Sequence, residues 1–156
     1  MKNEHGFSLV ELLIVVAIIA IIAAIAVPSL LTSRQAANEA SAIQGCRTIG
    51  SAEIAFAATN NQQFTDMAGL SNGNFLDQRF SASTNIINGY TYDLGDVPVI
   101  DGGALPNGFE FVATPQTGMG RYAYGIGPDQ VVRWVDAPGG TLPGTVQPGD
   151  PIGKGN

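Results

Sequence analysis

Residues 12–33 constrain this chain more than any other feature, because 22 consecutive positions there carry no charged side chain. A run of that length, rich in Leu, Ile, Val and Ala, suffices for a helix that crosses a membrane, which needs about 20 residues. Glu11 lies directly before the run. A carboxylate at the centre of a bilayer costs at least about 2.5 kcal/mol. A glutamate at this position therefore calls for a partner or a function.

The rest of the chain has the composition of a small polar domain. The sequence has 156 residues, so about 100 remain for one globular part after the apolar segment. The net charge is −6 and the arginines lie far apart in the sequence. Binding to nucleic acid requires clustered lysines and arginines. We therefore expect no nucleic acid among the partners.

The counts of histidine and cysteine exclude several kinds of catalytic site. His5 is the only histidine, and it lies in the first six residues. If those residues are removed, Ser-His-Asp and Cys-His catalysis and histidine-containing zinc sites are excluded together. Cys46 is the only cysteine, so no disulfide forms within the chain. We interpret Cys46 as a small buried residue, with an intermolecular bridge or a reactive thiol as the alternative.

Three interpretations of residues 1–33 compete. A secretory signal peptide would explain Lys2, the apolar run and the small residues Ala24 and Ala26, but the run is longer than the usual 7–15 residues. An ordinary single-span anchor fits the length and leaves Glu11 unexplained. The third interpretation depends on residues 6–13, which read GFSLVELL.

This octapeptide resembles the signature of type IV prepilins and of type II secretion pseudopilins. The resemblance covers about residues 6–35. It implies that a prepilin peptidase cuts between Gly6 and Phe7 and methylates the new amine of Phe7. Glu11 then occupies the position of the family's fifth mature residue, and Pro28 matches its helix-kinking proline. Residues 1–6 would be the leader peptide, in which Lys2 is the only lysine or arginine.

The resemblance also implies an assembly mechanism and a set of partners. The Phe7 amine lies about 6 Å from Glu11 along a helix axis, and in a stack of helices Glu11 would pair with the Phe7 amine of a neighbouring copy. Partners would be copies of the chain in a helical filament, the prepilin peptidase, the inner-membrane assembly machinery and, before assembly, membrane lipid. The chain would be a structural subunit rather than an enzyme.

Three functional interpretations stay open on these residues. The leading interpretation is a type IV pilin, which passes from the bacterial inner membrane to an extracellular filament. The alternative is a pseudopilin of a type II secretion system, which forms a periplasmic filament. A membrane-anchored binding or sensory domain that never polymerises is a third class. The N-terminal residues do not separate the first two.

The predicted fold is α+β and pilin-like, a long N-terminal helix whose second half packs on a small antiparallel sheet. The helix is expected over residues 7–58, with its membrane and assembly half at about 8–33. Its second half carries one apolar stripe. The stripe consists of Ala42, Cys46, Ile49 and Phe56, with Ile43, Gly50 and Ala57 beside it. The head is expected over residues 59–136, and residues 137–156, with six glycines and four prolines, form a tail.

Alternating aromatic and aliphatic residues predict three or four strands in the head. Residues 60–88 are expected to be a long loop with one helical turn near residues 66–70. A hairpin is expected with its turn at residues 127–130. The inward-facing sets are Tyr90, Tyr92 and Leu94; Phe109 and Phe111; Tyr122, Tyr124 and Ile126; and Val132 and Trp134. The more solvated face is expected to carry Thr91, Glu110, Arg121 and Arg133.

Two further patterns are weighed as ligand sites. Residues 118–123 match the letters G-x-G-x-x-A, but a strand-like alternation follows where a dinucleotide site needs a helix, so we interpret them as a turn. Three aspartates cluster in residues 93–101 and two more flank the last predicted strand, and the resemblance adds that the family's major pseudopilins bind calcium in C-terminal loops. Their spacing matches no EF-hand, so we expect no cofactor and retain calcium as the alternative. The aspartates are Asp93, Asp96, Asp101, Asp129 and Asp136.

Overall fold

The computed structural model describes residues 7–94, 105 and 107–136. Residues 135 and 136 are described by their backbone alone. The chain divides into two compact units, Met1–Arg34 and Gln35–Asn156. Helix α1 spans Leu9–Thr59 and so contributes to both. The leader at residues 1–6, the tail at 137–156, Asp96 and Asp101 lie outside the described residues.

Helix α1 confirms the predicted long N-terminal helix. It has 51 residues and contains Pro28 without an interruption of its helical assignment. Alanine, leucine and glutamate are strong helix formers and fill much of the sequence. From residue 9 to residue 34 every side chain is exposed, whereas the buried positions begin at Glu39.

The second half of α1 buries the predicted stripe. Ala42, Cys46 and Ile49 are fully buried, and Phe56 packs against the same cluster. Spacings of four, three and seven residues bring these positions to one helix face. Across from them in the core lie Tyr90 and Tyr92, which are 0% and 2% exposed. The helix thus supplies one wall of the hydrophobic core of the Gln35–Asn156 unit.

The segment after α1 holds more regular structure than a long loop. Helix α2 spans Met67–Asn72, and Asp66 caps it by accepting a hydrogen bond from the Gly69 N–H at 2.7 Å. The predicted helical turn near residues 66–70 is therefore confirmed. A 3-10 helix follows at Gln78–Phe80, capped by Asp77. The interpretation of the remainder as a loop was wrong at this 3-10 helix and at the first strand.

The sheet has five antiparallel strands in sequential order, so the predicted three or four strands were too few. The missed strand is β1 at Ile86–Ile87, which joins β2 through a two-residue turn at Asn88 and Gly89 with φ of 50° and 79°. Positive φ at both positions suits a hairpin turn, and asparagine and glycine adopt it most readily. The other strands are β2 Tyr90–Leu94, β3 Phe111–Pro115, β4 Tyr122–Ile126 and β5 Arg133–Asp136.

The predicted hairpin between β4 and β5 is confirmed. The Gln130 N–H donates to the Gly127 carbonyl oxygen at 3.0 Å, and Gly125 pairs with Arg133 beyond the turn. Tyr122 and Trp134 lie on neighbouring strands with ring centroids 4.8 Å apart, edge to face. Such aromatic contacts between strands stabilise a sheet.

The expected solvated face of the sheet was wrong at Glu110. This residue is 7% exposed and precedes β3, in which Phe111, Val112 and Ala113 are all buried. Alternating burial holds for a strand with one solvated face, and the middle strand of this sheet is covered on both. Phe109 is buried as predicted, although it lies before the strand rather than in it.

Candidate processing and assembly site

The residues that the sequence singled out for processing lie at the start of α1. Gly6 is outside the described residues. Phe7 precedes α1 and is 81% exposed. The Phe7 side chain is therefore open to solvent, and Phe7 itself precedes the helix.

Ser8 and Glu11 form the start of α1. The Ser8 backbone N–H donates a hydrogen bond to Oε2 of Glu11 at 2.9 Å, and the Leu12 N–H donates to the Ser8 carbonyl oxygen at 3.3 Å. A Ser followed three residues later by Glu is the capping-box pattern, in which the glutamate returns to the first residue of the turn. The signal in the sequence is S-x-x-E before an apolar run, and this cap was not among the predictions from the sequence.

The Glu11 carboxylate lies at the start of α1 and has one oxygen atom available for a further contact. It lies in the first turn of α1, where the helix dipole favours a negative charge by about 0.3–1 kcal/mol. The side chain is exposed, so the hydrogen bond from Ser8 leaves Oε1 open to a second donor. A charged amine from another chain is a chemically suitable donor.

The apolar half of α1 is exposed on all sides. Among the described residues, α1 is a helix long and apolar enough to cross a membrane. Large side chains on every face contribute, including Leu12, Ile18, Ile22, Ile25 and Leu30, all more than half exposed. An apolar surface of this extent requires lipid or protein around it.

Pro28 lies within this half and changes its hydrogen bonding. Proline has no N–H, so the carbonyl one turn earlier loses its helical donor. One residue further on, the Ser29 carbonyl oxygen accepts from the hydroxyls of Thr32 and Ser33, each at 2.9 Å. Hydroxyls that bond back to a helix carbonyl often bend helices. The segment from Pro28 to Ser33 therefore combines two features that weaken a regular helix.

Polar contacts fix the second half of α1 to the β3–β4 connection. Glu39 is 7% exposed, and its Oε1 accepts from the Arg121 N–H at 2.8 Å and from Nε at 3.4 Å. Asn38 donates to the Met119 carbonyl oxygen at 2.9 Å and Gln35 to that of Gly118 at 3.1 Å. These contacts join residues more than 80 positions apart, and sequence reasoning missed them.

The G-x-G-x-x-A letters fall in this same connection. Gly118 has a φ of 77° and lies between β3 and β4. The left-handed conformation suits glycine. Residues 122–126 continue as strand β4, as the interpretation as a turn requires.

The aspartates weighed for calcium are not brought together within the described residues. Asp129 Oδ2 pairs with Arg133 Nη2 at 2.7 Å, and its Oδ1 accepts from the Val131 N–H at 3.1 Å. Burial would raise the pKa of Asp129, but the contacts with Arg133 and the Val131 N–H together outweigh it and lower the pKa. Asp93 Oδ1 accepts from the Leu94 N–H. No group of three acidic, histidine or cysteine side chains suited to a metal occurs in this part of the chain.

The head buries two titratable side chains, the thiol of Cys46 and the carboxyl group of Glu53. The Cys46 thiol is fully buried and lies 3.9 Å from the Tyr124 carbonyl oxygen, and burial raises its pKa to about 12. A thiol of this kind is unreactive, which favours the interpretation as a core residue. Glu53 is also fully buried, and its Oε2 accepts from the Thr65 N–H at 3.3 Å. Its Oε1 has no hydrogen-bond partner among the described residues.

The chain is similar to known proteins in part of its length. Residues 1–27 match the prokaryotic N-terminal methylation motif. Over 39 residues the chain is 51% identical to the type IV wide pilus major component PilA4 of Thermus thermophilus. That match covers 25% of this chain and 30% of the relative, so the chain aligns with less than a third of the relative's length. The similarity therefore extends over a quarter of the chain.

Proposed function

We propose that this chain, whose N-terminal segment is that of the type IV pilin family, is a structural subunit of an extracellular type IV pilus. It is made as a precursor anchored in the inner membrane and is cut between Gly6 and Phe7. The mature subunits then polymerise through α1. The observation that carries the proposal is the N-terminal methylation motif at residues 1–27, together with the apolar helix that begins within it at Leu9 and is exposed on all sides.

The start of α1 supports processing at Gly6–Phe7. The first helical residue is Leu9, and the cap formed by Ser8 and Glu11 holds that boundary. On its C-terminal side the proposed cut is therefore followed by Phe7 and Ser8, which precede the helix. A peptidase needs an extended substrate backbone, because residues inside a helix must first unwind.

The surface of α1 supports both a membrane-anchored precursor and a polymer. A helix exposed on every side in one copy can be covered first by lipid and afterwards by the same helix of other copies. Glu11 would then pair with the methylated amine of Phe7 from a neighbour. Between apolar helices that attraction is stronger than in water, because water no longer screens it. If neighbouring helices packed in a wrong register, both charges would be left unpaired. This cost favours the register in which Glu11 meets the Phe7 amine.

A pilus subunit is favoured over a pseudopilin by the relative that the chain resembles. That protein is named as the major component of a wide pilus, over a match limited to 39 residues. The proposed location is the outside of the cell, whereas a pseudopilin would remain in the periplasm. The proposal includes no cofactor and no enzymatic step, and the prepilin peptidase acts on the chain as its substrate.

The test is the mature N-terminus together with the location of the protein. We expect the intact mass and terminal sequencing to show a chain that begins at methylated Phe7. Filaments sheared from the cell surface should contain it as a main component. A terminus after Ala24 or Ala26 would indicate an ordinary signal peptide and contradict the proposal. A correctly processed chain found only in the periplasm would favour the pseudopilin.

A further inference from the structure

A pocket of about 410 Å³ lies at the end of α2, in the segment that leads to the 3-10 helix. It is a shallow depression open to solvent, so a ligand would rest against its wall rather than be enclosed. The wall contains Ser71, Asn74, Phe75, Asp77 and Gln78. Nothing in the proposed filament function uses these residues.

The Phe75 ring forms the apolar part of the pocket. It is 36% exposed, which is unusual for phenylalanine beside a hydrophobic core. Its inner side meets the Phe56 ring of α1 edge to face, with centroids 5.5 Å apart. A Cβ on Gly73 would lie 2.9 Å from Cδ2 of Phe75, so glycine at 73 leaves room for the ring. The ring is thus held in place with part of its surface facing solvent.

Polar groups with unused hydrogen-bonding capacity surround the ring. The amides of Asn74 and Gln78 make no side-chain hydrogen bond within the described residues. Asp77 Oδ1 accepts from the Arg79 N–H at 2.8 Å and is ion-paired with Arg79 Nε at 3.2 Å, which leaves Oδ2 open. The hydroxyl of Ser71, a residue 3% exposed, has no partner among the described residues. A buried hydroxyl without a partner costs about 1–3 kcal/mol.

We propose that this pocket binds a neutral saccharide unit. A pyranose ring has apolar C–H faces and a rim of hydroxyl groups. The Phe75 ring complements such a face, while the amides and the Asp77 carboxylate accept and donate along the rim. The chain's net charge of −6 disfavours acidic sugars and phosphates, whereas Arg79 offsets the charge of Asp77 locally. The inference concerns one copy of the chain and does not depend on filament assembly.

Saturation-transfer NMR on the full-length processed protein tests the proposal. The protein is held in a zwitterionic detergent that contains no sugar, because maltoside detergents would compete for the site. The probes are N-acetyl-D-glucosamine and D-galactose, with N-acetylneuraminic acid as the acidic comparison. We expect transfer to the ring C–H protons of at least one neutral probe, at least about fivefold above the acidic sugar.

Variants assign the binding to the pocket. Phe75→Ala is expected to weaken binding about tenfold, as for the loss of one aromatic contact, and Gln78→Ala should weaken it as well. Ile86→Ala, which truncates an apolar side chain that is 61% exposed outside the pocket, is the matched control and should bind normally. If Phe75→Ala loses the near-UV circular dichroism of the native protein, the variant is not folded. Asn74→Gly and Gln78→Ala then show whether the sugar binds in this pocket. No transfer above that of empty micelles, or undiminished transfer in the pocket variants, would overturn the proposal.

Discussion

Gly45 of α1 lies against the ring of Tyr92 in β2, so closely that a Cβ on Gly45 would approach Cε1 to 2.7 Å. The helix contributes no side chain at this contact, so the Tyr92 ring packs directly on the backbone of α1, and both residues are buried. This contact fixes the spacing between α1 and β2. Glycine inside a helix costs about 1 kcal/mol relative to alanine, and here the close approach accounts for it.

Gly45→Ala is expected to destabilise the head by about 1–3 kcal/mol through overpacking, even though alanine favours the helix. Urea unfolding followed by circular dichroism measures the change. Thr48→Ala, at an exposed position of the same helix, is the control and should alter stability little. Adding Tyr92→Phe to Gly45→Ala removes the nearest atom and should restore part of the loss. A Gly45→Ala protein as stable as the parent would contradict the close packing.

Removal of residues 1–34 should leave a soluble, folded head, because the chain from Gln35 onward retains the helical stripe that covers the sheet. Removal of residues 1–59 should expose Tyr90, Tyr92 and Phe111 and cause aggregation. Size-exclusion chromatography and near-UV circular dichroism compare the two proteins. Equal solubility and equal folding of both would show that α1 is dispensable for the core.

Glu53 predicts a head that loses stability as the pH rises. Burial, together with the nearby Asp66 charge and against the Thr65 hydrogen bond, raises the pKa of Glu53 from its ordinary value of 4.5 to about 7. The folded head therefore holds a proton that the unfolded chain releases. This contribution is complete below pH 4.5 and is lost as the pH rises through 7.

The corresponding measurement is the melting temperature of the head between pH 5 and pH 8, in steps of about half a unit. Glu53→Gln should flatten the decline and stabilise the head at pH 8 by on the order of 1–3 kcal/mol. Asp93→Asn, which removes an exposed carboxylate and leaves Glu53 in place, should retain the decline. A parent protein whose stability is constant over this interval would refute the role of Glu53.

Calcium is expected to leave the melting temperature of the head unchanged. Both oxygens of Asp129 are already engaged, by Arg133 and by the Val131 N–H, and a metal would have to displace them. Ligands that bind the folded state raise its melting temperature, which makes the measurement sensitive. A rise on adding calcium that Asp129→Asn abolishes would instead favour a pseudopilin.

Glu11→Gln should prevent assembly while leaving the single subunit intact. The amide oxygen of glutamine still accepts from the Ser8 N–H, so the start of α1 is retained. Insertion and cleavage should therefore proceed. The unpaired Phe7 amine in a filament would cost about 3–5 kcal/mol. The yield of sheared filaments relative to processed subunit in the membrane measures the effect, and Glu11→Asp, which keeps the charge, should retain more filament. Normal filaments from the glutamine variant would remove Glu11 from the mechanism.

The parts of the fold that follow from local pattern could be predicted from the sequence. The apolar run and the stripe through Ala42 and Ile49 specify α1 because a helix repeats its environment every three to four residues. Strand β1 was missed, although Asn88-Gly89 is a strong hairpin signal. The two residues Ile86 and Ile87 are too few to show an alternation.

The remainder depends on contacts that the sequence does not encode locally. Glu39 and Arg121 lie 82 positions apart, and Glu53 meets Thr65 only because the chain turns back after α1. At Glu110 the rule of alternating burial failed because the strand after it is buried on both faces. At the N-terminus, by contrast, the motif predicts roles for Phe7 and Glu11, and the hydrogen bond between Glu11 and Ser8 follows from their spacing alone.

The contact between Tyr122 and Trp134 gives the sheet a built-in optical reporter. Trp134 is the only tryptophan of the chain, and its strand β5 is the last in the sheet, paired with β4. Its emission therefore reports on the outer hairpin, whereas the near-ultraviolet signal of the buried Tyr90 and Tyr92 reports on the centre. If the emission changes at a lower temperature than the tyrosine signal, β5 detaches before the core melts. Coincident changes would mean that edge and centre unfold as one cooperative unit.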